Sequence, residues 1–408
     1  MSRSKYELLK IIFTSEYWLI ISLSGAFLSF FALNRGGVVV FIEASFVFLL
    51  INILTGTYKI KDIPIAYLVV VGICAYLIII SYLFYPQITH YRWLANLVRM
   101  LCLIFAMHCL SHKAIKDWVP LLFGFILVLT VCWQLVAFYV FHMPFGTFSN
   151  PHIIASFTML VIPIIAYFIF KVPKWYKLFF IIPGILNIDF MIRTRSGPAI
   201  VAIIFASLFA IIFLIKDRRK WIGLLLICIL FVFLHITQYG NMADKVEKIF
   251  THHQEETRWL IWSSSLNMQK DNSFQAWIVG NGIGSFNKVY PDYANQLETT
   301  ATFPHLFLLE VLYQSGLIGV IFVFGGITAV IFQSIRFLNK VQDKAISILI
   351  ICLLVMLLSW LVHCGLTVHF YSKYAQYSLA FILGPILAIL NSSFVNCTKI
   401  ESDRITNA

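Results

Sequence analysis

Long apolar runs constrain this chain more than any other feature. Twelve of them have about 20 residues, the length that a helix needs to cross a bilayer, and they lie at 15–34, 37–56, 64–85, 93–111, 118–141, 152–171, 176–193, 198–215, 220–238, 314–335, 345–363 and 376–394. The chain is 60% hydrophobic and 12% charged, whereas a soluble domain has about 45–50% apolar and about 25% charged residues. This excludes a soluble enzyme, a disordered protein and a disulfide scaffold, and the unbroken runs exclude a transmembrane β-barrel. The sequence therefore predicts an all-α polytopic membrane protein with about 12 transmembrane helices.

Lysine and arginine cluster in alternate connections between these runs, for example at Lys59 and Lys61 and again in the segment 216–220. Cytoplasmic connections of membrane proteins carry this excess of positive charge, so both termini are predicted to be cytoplasmic. The net charge of +12 is spread over these clusters. Because it forms no single patch, membrane lipid is the expected partner of these charges and nucleic acid is not.

One long connection, 238–302, joins predicted spans nine and ten on the opposite side of the membrane. It contains Trp259, Trp262 and Trp277, and disordered segments have few aromatic residues. The sequence therefore predicts a folded, helical and functional loop. We divide the chain into N-terminal transmembrane helices at 1–140, a core at 141–335 that includes the loop, C-terminal transmembrane helices at 336–394 and a cytoplasmic tail at 395–408.

Arginine is unexpected in a short connection on this outer side, yet Arg193 and Arg195 lie in one. Arg193 has a structural explanation, because it follows Asp189 by one helical turn and can pair with it. The functional alternative is a phosphate clamp, since the guanidinium fork matches the oxygens of a phosphate. Residues two apart in a helix point in nearly opposite directions, so we expect one of the two arginines to face a site.

Two patterns in the long loop also allow a structural and a functional interpretation. Arg258 and Trp262 are four residues apart and would share one helix face, which fits a binding face or a solvated amphipathic helix. Alternate glycines in VGNGIGSF, residues 279–286, predict a tight turn with exposed backbone. A nucleotide-binding loop needs a preceding strand and a following helix, so we interpret this segment as a turn that packs the loop against the membrane helices.

Histidine provides the last candidate for chemistry. His305 follows a proline just ahead of a predicted span, a suitable place for proton transfer, although a lone histidine is more often structural. His252 and His253 lack the spacing of a zinc-binding HExxH motif, so no metal is expected.

Taken in order, five segments resemble the O-antigen ligase and O-antigen polymerase superfamily. They are GTFSNPHIIA at 146–155, TRSG at 194–197, RWLIW at 258–262, VGNGIGSF at 279–286 and PHLFLLEVLYQSGLIG at 304–319. The resemblance covers roughly residues 140–335. Two positions depart from the family pattern: Leu306 stands where the ligases carry Asn, Ser or Gln, and His152 stands where asparagine is common.

The resemblance implies roles for charged residues. Arg195 and Arg258 match the family's two arginines that bind the pyrophosphate of a polyprenyl-linked glycan, and Arg193 is a further candidate. His305 matches the family histidine that is followed by GxxG, and we expect it to activate the acceptor hydroxyl or to bind the pyrophosphate.

Aromatic residues complete the implied site. Trp259, Trp262 and Tyr290 are candidate glycan contacts, although an aromatic belt at the membrane interface explains them equally well. The enzyme implied is a metal-independent, inverting glycosyltransferase. It needs no cofactor and no nucleotide, because a glycosyl pyrophosphate is already activated.

The leading interpretation is an O-antigen ligase of the bacterial inner membrane with a periplasmic active site. It would transfer a glycan from undecaprenyl pyrophosphate to a sugar hydroxyl of lipid A–core in lipopolysaccharide biosynthesis. A polymerase of the same superfamily would use a lipid-linked repeat unit as acceptor, and a related protein O-glycosyltransferase usually has a longer chain. A membrane transporter is the alternative from another class, and Glu43, Arg99 and Asp189 within the spans are its candidate residues.

Overall fold

The computed structural model describes residues 16–31, 35–55, 91–110, 112–140, 151–173, 175–193, 196–215, 257–294, 301–367 and 372–406, together with isolated positions between 72 and 82 and between 221 and 232. All regular secondary structure in these residues is helical. The helices are α1 Glu16–Phe31, α2 Arg35–Leu54, α3 Tyr91–His108, α4 His112–Tyr139, α5 Pro151–Val161, α6 Ile164–Lys171, α7 Lys177–Arg193, α8 Gly197–Phe209, α9 Thr257–Lys270, α10 Phe274–Val279, α11 Phe286–Val289, α12 Phe307–Leu338, α13 Lys344–Thr367 and α14 Lys373–Thr406.

Helix length and composition make this a multi-pass membrane protein. Within the described residues, six helical segments are long and apolar enough to cross a bilayer: Gly37–Leu54, Ile115–Val136, Gly197–Leu214, Phe307–Leu338, Lys344–Thr367 and Tyr374–Asn391. Shorter apolar helices lie at Tyr17–Phe30, Ala95–His108 and Thr158–Lys171. The all-α expectation is confirmed for these residues. The count of about 12 spans stays a prediction, because 64–85 and 220–238 fall mostly outside the described residues.

Two boundaries differ from those expected from hydropathy. Helix α14 continues to Thr406, through most of the predicted tail at 395–408. Helix α12 begins at Phe307, seven residues before the predicted span at 314–335. In α14 the hydrophobic pattern marked only the apolar part of a longer helix, because helical hydrogen bonding does not end where apolar sequence ends. The residues of α12 that precede the predicted span are themselves mostly apolar, and they form a separate helical segment that ends at a backbone break at Gly316.

The main core lies where α1, α3, α4, α12, α13 and α14 meet. Phe27 of α1 is fully buried there, and its ring lies edge-on to Phe123 at 4.9 Å and to Phe381 at 4.3 Å between centroids. Small residues bring the helices close together: a Cβ built at Gly384 would lie 2.6 Å from the Sδ of Met107. Close approach at glycine is how membrane helices gain van der Waals contact when lipid removes the hydrophobic drive between them.

Two ion pairs join neighbouring helices of the bundle. Arg99 of α3 lies 3.5 Å from the carboxylate of Glu43 in α2. At the start of α13, Asp343 pairs with Lys116 of α4. One carboxylate oxygen of Asp343 also accepts hydrogen bonds from the backbone N–H groups of Ala345 and Ile346, at 2.9 and 3.3 Å, as an N-cap does. The hydrogen bond from Lys116 is the main reason why the pKa of Asp343 lies below its ordinary value.

Candidate active site

A break in α12 sets the geometry of the site. Gly316 has φ 64° and ψ −172°, a backbone conformation that is essentially restricted to glycine. Phe307 and Phe324 lie on either side of the break, with ring centroids only 4.8 Å apart. A straight helix would separate these two residues by about 25 Å along its axis. The segment Phe307–Ser315 is therefore folded back towards the remainder of α12.

The second glycine of the GxxG motif makes room for this fold-back. A Cβ built at Gly319 would lie 2.2 Å from the Cβ of Ser315 and 3.8 Å from Cγ1 of Val311. The two glycines thus have different physical roles: Gly316 supplies the conformation, and Gly319 supplies the space. The sequence signals this pair only as a spacing.

The glycine turn of the long loop docks on this break. Because α12 is interrupted, carbonyl groups just ahead of Gly316 accept hydrogen bonds from the turn. The N–H of Asn281 donates to the carbonyl of Tyr313 and the N–H of Gly282 to that of Gln314, both at 2.9 Å. A Cβ at Gly280 would lie 2.5 Å from the carbonyl oxygen of Gln314. The turn therefore packs the loop against a membrane helix, as the sequence predicts.

Side chains of α12 strengthen the same contact. Oε1 of Gln314 accepts a hydrogen bond from the N–H of Gly284 at 2.5 Å, and its Nε2 lies 3.4 Å from the carboxylate of Glu310. Both side chains are 1% exposed. A buried carboxylate is costly unless it is hydrogen-bonded. Glu310 therefore orients the amide of Gln314, and that amide holds the end of the turn.

A small apolar cluster joins the loop helices to α12. Its buried members are Ile261 and Met268 of α9, Phe286 and Tyr290 around α11, and Tyr313 of α12. The rings of Phe286 and Tyr290 stack with centroids 5.1 Å apart. The cluster makes the described part of the loop, 257–294, a packed unit with the first part of α12, Phe307–Ser315.

The candidate residues of the long loop lie on this unit. Arg258 is half-buried in the first turn of α9. Trp259 is 50% exposed, whereas Tyr290 is fully buried. Trp262 is half-buried, and its Nε1 has no hydrogen-bond partner among the residues that the structure describes. Of the three aromatic candidates, Trp259 and Trp262 present surface to a ligand, and Tyr290 packs in the loop.

His305 lies two residues ahead of α12 in a strained conformation. Its φ is 52°, and it is the one non-glycine residue with positive φ in the described part of the chain. Its ring centroid lies 4.1 Å from that of Phe303. Strain of this kind costs about 1–3 kcal/mol and clusters at functional sites, which fits the role expected for His305.

The structure describes only one of the two arginines near the connection between α7 and α8. Nε of Arg193 donates to Asp189 at 2.7 Å, one turn earlier on α7. This is the structural pairing that the spacing allows. Arg195 lies outside the described residues. Its role in pyrophosphate binding stays a prediction, as do the roles of Arg193, Arg258 and His305.

Sequence reasoning missed a second histidine near this end of the bundle. His363 of α13 is fully buried. Its Nε2 lies 2.8 Å from the hydroxyl of Ser156 in α5, and Thr367 lies beside the ring at 3.3 Å. Ser156 directly follows the predicted motif 146–155, so this contact joins the part of α5 next to that motif to α13. Only the fold brings together two residues that are 207 positions apart.

Metal ligands do not gather in the described ranges, where no group of three or more His, Cys, Asp or Glu side chains lies together. His252 and His253 fall outside these ranges. One ionisable group of the loop is perturbed: a hydrogen bond with Asp271 raises the pKa of Tyr293.

Comparison with known proteins identifies the same region. No curated protein matches the chain. A family model described as O-Antigen ligase matches residues 182–324, about a third of the chain. The matched segment runs from α7 through the long loop to the middle of α12, so it includes every candidate site residue from Arg193 to His305. Residues 182–324 thus match the O-antigen ligase family model, in agreement with the resemblance of the sequence to the O-antigen ligase and polymerase superfamily.

Proposed function

We propose that this protein is an O-antigen ligase that transfers a glycan from undecaprenyl pyrophosphate to a sugar hydroxyl of lipid A–core. The observation that carries the proposal is the docking of the 257–294 unit on the break in α12. This contact gives Arg258 and His305 a common support at the outer end of the bundle, inside the segment that matches the family. A site built on packed elements can hold reacting groups in a fixed geometry.

The proposed reaction is a single displacement at the anomeric carbon. The acceptor hydroxyl oxygen attacks that carbon, and the bond from the carbon to the phosphate oxygen breaks. The electron pair leaves with undecaprenyl pyrophosphate, and His305 takes the hydroxyl proton. The anomeric configuration inverts because the nucleophile enters opposite the leaving group.

Arg195 and Arg258 would hold the pyrophosphate and stabilise the charge that develops on it. Donors fixed in advance at a low-dielectric boundary stabilise such charge strongly, and loss of one costs about 10²–10³-fold in rate. A positioned general base contributes about 10²–10⁴-fold. Neither role requires a nucleotide, a cofactor or a metal. We place the site on the periplasmic face of the inner membrane, with both chain termini in the cytoplasm.

The test is transfer by the purified protein in nanodiscs, with undecaprenyl-pyrophosphate-linked glycan as donor. Lipid A–core and a second lipid-linked repeat unit are offered as separate acceptors. We expect glycosylated lipid A–core, and we expect the rate to fall at least hundredfold in Arg258→Ala and in His305→Ala. Arg336→Ala is the matched control, because Arg336 lies at the far end of α12, over the ring of Phe332.

Other outcomes have distinct meanings. Product made from lipid-linked repeats alone identifies a polymerase with the same donor site. Full activity in His305→Ala removes the base role. No product with either acceptor, together with loss of solute uptake in Glu43→Gln, would favour a transporter. The pairing of Glu43 with Arg99 in the bundle instead supports a structural role for these two residues.

A further inference from the structure

Two hydrogen-bond donors on α9 are buried without an acceptor. They are Nε1 of Trp262 and Nε2 of Gln269, neither of which has a partner among the residues that the structure describes. Gln269 is only 3% exposed. Buried donors in native proteins are nearly always paired, and an exception requires an explanation such as an absent ligand.

Both donors lie on the same face of α9 as Arg258. At about 100° per residue, positions 258, 262 and 269 fall within about 40° of one another around the helix axis. We call these three positions the stripe. Trp259 and Lys270, which are exposed, lie outside the stripe. The two donors are about 10 Å apart along the axis, which is too far for one water molecule to bridge. A single ligand that accepts hydrogen bonds from both donors therefore has to be extended and to carry several acceptor oxygens.

A relay of amides fixes the direction of the Gln269 donor. The carbonyl of Tyr313 accepts a hydrogen bond from Nδ2 of Asn281 at 3.2 Å, and the same Nδ2 lies 3.1 Å from Oδ1 of Asn272. Nδ2 of Asn272 in turn donates to Oε1 of Gln269 at 3.1 Å. Because Oε1 is occupied, Nε2 is the end of the Gln269 amide that is left for a ligand. Such preorganisation lowers the cost of binding.

We propose that Trp262 and Gln269 form a saccharide subsite that holds the glycan of the lipid-linked donor beyond its pyrophosphate. This inference rests on the proposed function, because it takes Arg258 as the pyrophosphate ligand at the start of the stripe. Sugars fit the arrangement, since their hydroxyl and ring oxygens accept hydrogen bonds along an extended chain. The indole of Trp262 adds an amphipathic ring with one N–H donor.

The test compares two lipids on the full-length protein in nanodiscs. One is undecaprenyl pyrophosphate that carries a trisaccharide of N-acetylglucosamine, and the other is bare undecaprenyl pyrophosphate. Trp262→Phe removes the N–H and keeps a ring. We expect it to weaken binding of the glycan-linked lipid about tenfold, the worth of one hydrogen bond, and to leave binding of the bare lipid within about twofold. Gln269→Met should behave in the same way.

Matched controls come from exposed residues of α10. Trp277→Phe and Gln275→Met make the same chemical changes outside the stripe and should leave both affinities unchanged.

Two results would overturn the subsite: no change in binding of the glycan-linked lipid, or an equal loss of binding with both lipids. Failure of the unmodified protein to bind bare undecaprenyl pyrophosphate is a different result. It would refute the proposed function, and the subsite would fall with it. Binding of the bare lipid by the unmodified protein therefore tests the proposed function, and binding of the glycan-linked lipid by the variants tests the subsite.

Discussion

Replacing Gly316 with alanine should undock the long loop from α12. The new Cβ would lie 2.3 Å from the carbonyl oxygen of Ile278 and 2.5 Å from the backbone nitrogen of Gly280. Both neighbours are backbone atoms, so no side chain can rotate to relieve the contact. The positive φ of 64° adds strain of its own for alanine, about 1–3 kcal/mol.

The cost can be worked out from the contacts and the strain at position 316. The bonds donated by the N–H groups of Asn281, Gly282 and Gly284 favour docking in both proteins, so the substitution changes only the energy of the docked state. Overpacking against backbone atoms that cannot rotate away costs about 3 kcal/mol, and with the strain of about 1–3 kcal/mol the docked state is destabilised by about 4–6 kcal/mol. Since about 1.4 kcal/mol is a factor of ten, the docked state should lose at least about a hundredfold in population.

Hydrogen exchange of the protein in nanodiscs measures this directly. The amides of residues 281, 282 and 284 should be protected in the unmodified protein and should exchange at least hundredfold faster in Gly316→Ala, and glycan transfer should fall with them. Gly325→Ala is the control, because a Cβ at Gly325 of the same helix meets no atom within 4 Å. Unchanged protection in Gly316→Ala would refute the reasoning. Equal loss in both variants would show that any change in α12 is disruptive and that the break has no special role.

Three further predictions concern single contacts. Arg193→Ala should cost under about 1 kcal/mol of stability, because its ion pair with Asp189 is exposed. A thermal unfolding temperature that drops as far as that of a core variant would contradict this. Asp343→Ala should destabilise α13 by about 1–2 kcal/mol because it removes the N-cap, whereas Asp343→Asn keeps a capping oxygen and should cost less in the same denaturation measurement. The pKa of the Asp343 carboxyl lies below its ordinary 3.8. The stability that its ionised form contributes is therefore complete above pH 3.8 and is lost as the pH falls through the lowered pKa. Unfolding measured at pH 2–5 should show that the stability advantage over Asp343→Asn shrinks only below pH 3.8. His363→Ala should destabilise the protein by about 1–3 kcal/mol, because it removes the hydrogen-bond partner of the Ser156 hydroxyl. If Ser156→Ala unfolds at the same temperature as the unmodified protein, this hydrogen bond contributes nothing to stability.

Local patterns of the sequence were sufficient where the chemistry is local. The i, i+4 spacing predicts that Arg193 can pair with Asp189, and the pair forms. Alternate glycines at 280, 282 and 284 predict a turn that packs the loop, and all three have positive φ. These features depend on backbone sterics and helix periodicity, which a few neighbouring residues determine.

Contacts between distant segments could not be predicted in the same way. The amide of Gln314 meets Gly284 across 30 positions, and His363 meets Ser156 across 207. The sequence around Gln314 or His363 does not predict which residue each contacts, because apolar helices can pack in many registers. The break at Gly316 was equally hidden, since a GxxG spacing on a helix also fits simple helix–helix contact.

The fold-back of α12 also determines how this protein can be dissected. After the break, Leu317–Leu338 is about 33 Å long, enough to cross the hydrocarbon core of about 30 Å without Phe307–Ser315. The carbonyls at the broken end find their donors in the glycine turn, and in a membrane such groups need a partner within the protein. Excising the loop would leave these carbonyl groups without hydrogen-bond donors. Expressing the loop by itself would leave the N–H groups of its glycine turn without acceptors. The loop and the membrane helices are therefore one folding unit and have to be produced and studied together.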